Sequence, residues 1–174
     1  MKKKLSIFLA LVFTTGVFAQ KNNIFIGVGP STAFTFNSNF KKPLGINFNM
    51  RYGVSSLSAI TAKIEYFGVK PDYQSQISSA TIFNFKFGFL SYIRNSNFLG
   101  QLETGISNYN YKYTATSSKI TGFVAGAGLG YSFKINEHNA IDLLPVFNYV
   151  QRDATISKTW LNINLNYRVN LNFK

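Results

Sequence analysis

Between Leu161 and Phe173 every second residue is apolar. Leu161, Ile163, Leu165, Tyr167, Val169, Leu171 and Phe173 alternate with Asn162, Asn164, Asn166, Arg168, Asn170 and Asn172. A helix would scatter those apolar side chains around its circumference, whereas a strand gathers them on one face. Leu44, Ile46, Phe48, Met50 and Tyr52 alternate in the same way with Gly45, Asn47, Asn49, Arg51 and Gly53. So do Phe83, Phe85, Phe87 and Phe89 with Asn84, Lys86 and Gly88. A fourth run sets Phe123, Ala125, Ala127, Leu129, Tyr131 and Phe133 against Gly122, Gly126, Gly128, Gly130 and Ser132, with Val124 out of step. Weaker alternation over 24–36, 57–69, 98–111 and 140–150 brings the total to eight strands. Pro30 lies inside the first of them and predicts a bulge or edge irregularity there, because proline cannot donate to a ladder.

Most of these segments run to about ten residues or more, roughly twice an ordinary soluble strand and enough to cross a bilayer at a tilt. The connectors alternate too. Gly53–Ser56, Arg94–Asn97 and Lys134–Asn139 are short, while Asn37–Pro43, Lys70–Ser79, Lys112–Lys119 and Gln151–Lys158 are longer. Short turns at one end and longer loops at the other fit an all-β, up-and-down antiparallel eight-stranded transmembrane β-barrel with both termini on the short-turn side. At 174 residues the chain has room for one such domain.

The amino terminus reads as an export signal. Lys2, Lys3 and Lys4 precede the apolar run Leu5–Phe13, and Val17-Phe18-Ala19 places small residues where a signal peptidase reads. The apolar run is far short of the ~20 residues of a membrane-spanning helix. Residues 1–19 are therefore expected to be a cleaved signal peptide, and residues 20–174 the barrel. Cleavage removes three lysines and lowers the formal charge from +12 to +9.

A soluble lipocalin-like barrel also alternates, with its apolar face inward. Lipid outside is favoured here. Aromatic residues make up 17% of the chain and charged residues only 14%, against about 25% charged in a typical soluble domain. The polar face is rich in Asn, Gly and Ser, which suits a cramped lumen better than a wet exterior. Aromatics gather near strand ends, as in the girdles of membrane barrels: Phe36, Tyr52, Tyr66, Phe67, Tyr92, Phe98, Tyr109, Tyr111, Tyr131, Phe133, Tyr149, Trp160 and Phe173.

On the signal, the strand count and the final alternating strand, the chain resembles the superfamily of small eight-stranded outer-membrane β-barrels that includes the OmpA and OmpX barrels. The resemblance covers the whole mature chain. It implies residence in the bacterial outer membrane and insertion by the barrel-assembly machinery. A C-terminal aromatic residue is the family's assembly signal; here Phe173 is penultimate and Lys174 follows.

Seven charged residues fall on the polar face: Arg51, Lys63, Glu65, Lys86, Glu103, Asp142 and Arg168. Buried in one narrow barrel they would be costly unless paired, so a lumen-filling network of ion pairs is expected rather than a conduction path. The long connectors and their flanks carry Lys41, Lys42, Lys70, Lys112, Lys119, Arg152 and Lys158 against Asp72 and Asp153, an excess of five positive charges. Of these, Lys41, Lys42 and Lys119 are candidate contacts for the phosphates of outer-leaflet lipid such as lipopolysaccharide.

No catalytic chemistry is legible. The sole histidine, His138, sits in a short turn beside Glu137, opposite the rim where outer-leaflet chemistry would occur, and there is no cysteine. No catalytic residue, metal site or cofactor is expected. Gly126-Ala127-Gly128-Leu129-Gly130 lacks the strand–turn–helix setting of a phosphate loop and reads as strand. Dispersed lysines give no nucleic-acid signature. The expected function is a non-enzymatic outer-membrane barrel with a structural, adhesive or surface-interaction role and an unspecified extracellular ligand for its loops. The rivals are a barrel carrying small apolar solutes, which needs an apolar lumen, a lipid-modifying enzyme, and a soluble binder.

Overall fold

A computed structural model of the chain describes residues 22–35, 43–69, 77–113, 116–151 and 157–171. The expected signal peptide, Phe36, Lys41, Lys42 and Phe173 lie outside the described residues. Eight strands follow one another: β1 (Ile24–Thr35), β2 (Leu44–Gly53), β3 (Ser58–Val69), β4 (Ile77–Tyr92), β5 (Phe98–Tyr113), β6 (Ser117–Lys134), β7 (Asn139–Gln151) and β8 (Ser157–Leu171). Each pairs antiparallel with the next, and β1 pairs with β8 to close the barrel. Closure leaves no sheet edge, so the ladders satisfy the backbone polar groups within the fold, the condition for a sheet to stand in lipid.

The alternation resolves inside-out relative to a soluble barrel. On β2, Leu44, Ile46, Phe48 and Met50 are exposed on the outer wall while Asn47, Asn49 and Arg51 are buried in the lumen. The lipocalin-like arrangement is thereby excluded. The short turns close in tight geometry. Ile93 N–H donates to Phe98 O around Asn95, which adopts a left-handed φ of 59°. In the Lys134–Asn139 turn the Asn136 side chain accepts the backbone N–H groups of His138 and Asn139.

The structure qualifies three expectations. Pro30 brings an irregularity, as expected, but no bulge. It pairs with Ile46 in unbroken register, and toward β8 the ladder lapses at Gly29 and Pro30, then resumes in the same frame. The hairpin of β5 and β6 is longer than expected, so the predicted connector Lys112–Lys119 is mostly strand. The aromatic girdle is the third. Tyr52, Tyr66, Phe98, Tyr131, Phe133 and Tyr149 do face outward, but Phe67, Tyr92, Tyr109, Tyr111 and Trp160 are buried in the lumen.

The lumen-facing aromatics mark a reversal of the pattern. Through the middle of β5 the outer wall is apolar (Leu102, Ile106) and the lumen polar (Glu103, Ser107). Beyond Ile106 the outer face becomes Asn108, Asn110 and Lys112, and the inner face Tyr109 and Tyr111. On β6 the outer face changes from Phe123 to Thr121 and Lys119, while Val124 and Ile120 point inward. On β4, Ser79 and Thr81 continue the outer wall above Phe83, with Ala80 and Ile82 inside. Strands of 16, 16 and 18 residues thus form a wall on β4–β6 that rises past the apolar band, while β1 and β2 have 12 and 10 residues. Inside this end, Phe67, Tyr109, Tyr111 and Trp160 pack with Val69, Val124 and Val150 as an apolar plug. Tyr109 stacks on Tyr111 and meets Trp160 edge-on. A smaller cluster of Leu90, Tyr92, Leu99, Leu144 and Val146 lies toward the short turns.

Closure is tightest beside Gly29. A Cβ there would lie 1.7 Å from Leu165 O on β8, whereas one at outward-facing Gly68 would meet nothing closer than 3.9 Å. Gly29→Val is therefore expected to prevent β1 from pairing with β8, and Gly68→Ala to be silent. The measurement is the fast-migrating folded band of unboiled protein on a denaturing gel: it should vanish in the first variant and persist in the second.

Candidate functional site

Seven charged side chains lie in the lumen in two clusters. Lys63 and Glu65 on β3, Lys86 on β4 and Glu103 on β5 form an alternating ring. Lys86 Nζ lies 2.8 Å from Glu65 Oε2 and 2.6 Å from Glu103 Oε1. Lys63 Nζ lies 2.5 Å from Glu103 Oε2 and 3.5 Å from Glu65 Oε1. Lys63 and Lys86 stand directly opposite each other in the β3–β4 register, a repulsive pair on its own. The two carboxylates between them turn that repulsion into a closed ring.

Neutral groups complete it. Asn84 Nδ2 donates to Glu65 at 3.0 Å and Asn162 Nδ2 at 3.2 Å, crossing the lumen from β8. Gln101 Nε2 donates to Glu103 at 2.8 Å, and Lys86 donates to Asn148 Oδ1 at 2.8 Å. Ser107 Oγ donates to Asn84 Oδ1 at 2.6 Å. Glycines provide the room. A Cβ at Gly88 would press on Thr61 Oγ1 at 2.8 Å, and one at Gly126 on Asn148 Oδ1 at 2.8 Å and Glu103 Cγ at 3.1 Å. The glycine-rich segment at 126–130 is strand, and its three glycines, Gly126, Gly128 and Gly130, face the crowded lumen.

The second cluster lies nearer the short turns. Asp142 on β7 accepts Arg51 Nη1 at 2.7 Å and Arg168 Nε at 3.2 Å, together with the Ser132 hydroxyl. Arg168 also lies over the Phe25 ring, 4.8 Å from its centroid. The first cluster balances two cations with two anions; here two cations share one anion, leaving one net positive charge. Around the rest of this wall the lumen is amide-lined. Asn49, Asn162, Asn166 and Asn170 each have a buried Oδ1, and Asn164 a buried Nδ2, with no protein partner, the kind of polar groups that ordered water satisfies.

Of the three lysines singled out for lipid phosphates, Lys119 is described: it is exposed on the outer face of the tall β6 wall. Lys41 and Lys42 lie outside the described residues. Lys112, outside that set, is also exposed, on the neighbouring strand, in a polar field where Thr121 Oγ1 donates to Asn108 Oδ1 at 2.7 Å. His138 is exposed in its turn. Among the described residues no three His, Cys, Asp or Glu side chains gather as a metal site would need.

An apolar outer band around a polar, side-chain-filled lumen defines the chain as a small, closed eight-stranded antiparallel β-barrel. Solved structures agree on the fold. Ail, the attachment invasion locus protein of Yersinia pestis, matches with a TM-score of 0.58 and 16% identity over 86% of this chain and 99% of that one. Neisserial surface protein A matches with a TM-score of 0.61 and 12% identity over 84% and 96%. The outer membrane protein OprG from Pseudomonas aeruginosa matches with a TM-score of 0.60 and 8% identity over 88% and 98%. Ail has also been solved with the heparin analogue sucrose octasulfate and in a phospholipid bilayer nanodisc. No protein-family model and no curated protein sequence matches the chain.

The ring makes Lys86 its most demanding member, since removing it leaves two buried carboxylates facing one lysine. Lys86→Met is expected to destabilise the barrel by about 3–5 kcal/mol, the usual cost of breaking a buried pair. Lys86→Met with Glu103→Gln should recover part of that loss. Urea unfolding in detergent micelles, followed by tryptophan fluorescence of Trp160, measures both.

Proposed function

We propose that the chain is exported by a signal at residues 1–19, inserted by the barrel-assembly machinery, and resident in the bacterial outer membrane. There it works through surface contacts, without catalysis and without a conducting pore. The carrying observation is the reversal on β4–β6. Where the outer face turns from Ile106 and Phe123 to Asn108, Asn110, Lys112, Lys119 and Thr121, the wall leaves the hydrocarbon and enters an aqueous, polar layer. A flat sheet of amides, hydroxyls and lysines at that height suits an anionic partner. The phosphates of lipopolysaccharide in the surrounding leaflet are the nearest candidates, with Lys41 and Lys42, in the connector between β1 and β2, as further contacts. The complex of Ail with a sulfated heparin analogue supports the same chemistry on this fold.

Passage of small apolar solutes is the second reading, favoured by the apolar plug of Phe67, Tyr109, Tyr111 and Trp160 at the outer end. Beneath it lies the ring of Lys63, Glu65, Lys86 and Glu103, all under 6% exposed, and an apolar solute would have to cross that ring to traverse the lumen.

Lysines near an anionic surface contribute about 1 kcal/mol each, and the contribution fades with salt. Lys41→Gln, Lys42→Gln, Lys112→Gln and Lys119→Gln combined should weaken binding to purified lipopolysaccharide at low salt by tenfold or more, on the order of the summed terms. They should also flatten its salt dependence. Unchanged affinity and salt slope would refute the phosphate contacts. Large, stable currents from the wild type in planar bilayers would refute the closed lumen.

A further inference from the structure

The outer wall of β4–β8 is not smooth. Phe89, Leu102, Ala127, Phe147 and Leu161 form one cross-strand row, each the register partner of the next. Ser91, Gly100 and Leu129 begin the adjacent row on the short-turn side. Between these rows lies a groove of about 760 Å³. Ala127, Gly100 and Ser91 are the low points, and Phe89, Leu102 and Leu129 the walls. Because the rows cross tilted strands, the groove runs obliquely. It starts beside the β4–β5 turn, where Gly100 is two residues from the strand end, and rises to Leu161 near the opposite end of β8.

Gly100 is the informative residue. Lumen-facing glycines such as Gly29, Gly88 and Gly105 stand where a Cβ would collide with backbone within 2.5 Å. At Gly100 a Cβ would meet only Leu129 Cδ2, at 3.8 Å, and among the described residues no glycine has a positive φ. Neither strand geometry nor packing requires a glycine there; its effect is to deepen the groove.

At the lower mouth the chemistry changes. Arg94, in the β4–β5 turn three residues beyond Ser91, is exposed. Phe98 and Tyr131 form an edge-to-face pair with centroids 5.0 Å apart on the shoulder just below, as interfacial aromatics do. An apolar lane within the membrane band that begins at a cationic rim matches one occupant, a phospholipid with its phosphate at the rim and an acyl chain along the lane. We propose that this groove binds a phospholipid of the periplasmic leaflet, with Arg94 receiving the phosphate. The proposal rests on the reading that the barrel spans the outer membrane.

The test reconstitutes the mature chain into vesicles of phosphatidylethanolamine and phosphatidylglycerol containing a phosphatidylglycerol with a photoreactive acyl chain. Irradiation should attach label mainly to peptides from β5 and β6. Gly100→Leu, which fills the groove from outside the lumen, should lower that labelling about tenfold, the effect of a modest loss of binding energy, while the fast-migrating folded band persists. Arg94→Gln should lower retention of phosphatidylglycerol more than of phosphatidylethanolamine. Label spread evenly around the barrel and indifferent to Gly100→Leu would overturn the groove while leaving membrane residence intact. Cross-linked pairs of chains joined through this wall would overturn it in favour of a second copy as occupant. Absence of labelling on every strand would overturn membrane residence and the groove together.

Discussion

The pairing of β1 with β8 is the interaction on which everything else in this molecule depends. In lipid no water is present to satisfy a free strand edge, and each unsatisfied backbone group there costs several kcal/mol. The register from Ile24↔Leu171 to Thr35↔Trp160 removes both edges at once. Closing at eight strands then sets the diameter, and at that diameter the lumen is just wide enough for side chains to fill. The glycines on the inner faces, the amides of β2 and β8 and the buried ion pairs are consequences of that constraint. Large residues on every inward position would not fit, and small apolar ones everywhere would leave the lumen empty.

Within the lumen the charged ring is better understood as a specifier of register than as a source of stability. Taking four charges out of water is costly, and well-packed apolar residues often do as well or better. What the ring supplies is an alignment. Lys63 faces Lys86 across β3 and β4, an arrangement tolerable only when Glu65 and Glu103 stand on either side of Lys86. Sliding β4 by one residue would turn Lys86 into the lipid and bring Phe85 or Phe87 inward. Sliding it by two would separate Lys86 from one of its carboxylates. The Phe-rich outer face of β4 cannot provide this discrimination, because Phe83, Phe85, Phe87 and Phe89 are interchangeable under a two-residue shift.

The period-2 pattern made the strands, their order and the inward set of seven charges legible in the sequence, because a strand face is a local property. Which charge meets which was not legible. Asn162 reaches Glu65 across 97 residues of chain, and Arg51 meets Asp142 only because closure brings β2 and β7 within reach across the lumen. The misassigned aromatics have a more specific cause. Reading the alternation as one continuous phase puts every aromatic near a strand end in a girdle. Yet after Ile106 the parity of polar and apolar residues reverses, with Asn108, Asn110 and Lys112 on the face that had carried Leu102 and Ile106. Ser117, Lys119 and Thr121 make the same switch before Phe123. That reversal is visible in the sequence once the environment, and not the strand, is allowed to change along its length.

The reversal also makes the barrel lopsided, and the lopsidedness has a physical consequence. A strand wall that stopped at the lipid surface would present only loops to the outside. The walls of β4, β5 and β6 continue past it as paired sheet, with their backbones held by ladders on both sides and their inner face glued by Tyr109, Tyr111 and Ile120. Side chains on that sheet are held at fixed spacing, so Lys112 and Lys119 form part of a rigid surface rather than of a mobile connector. Rigid placement reduces the entropy lost when a partner is bound. Among the described residues β1 and β2 are shorter, with 12 and 10 residues against 16 to 18 on β4–β6. The rigid polar surface of the described residues therefore lies on the β4–β6 side. The same strands carry the small outward residues Gly100, Ala125 and Ala127, so polar contacts above and close apolar approach below fall together on this flank of the barrel.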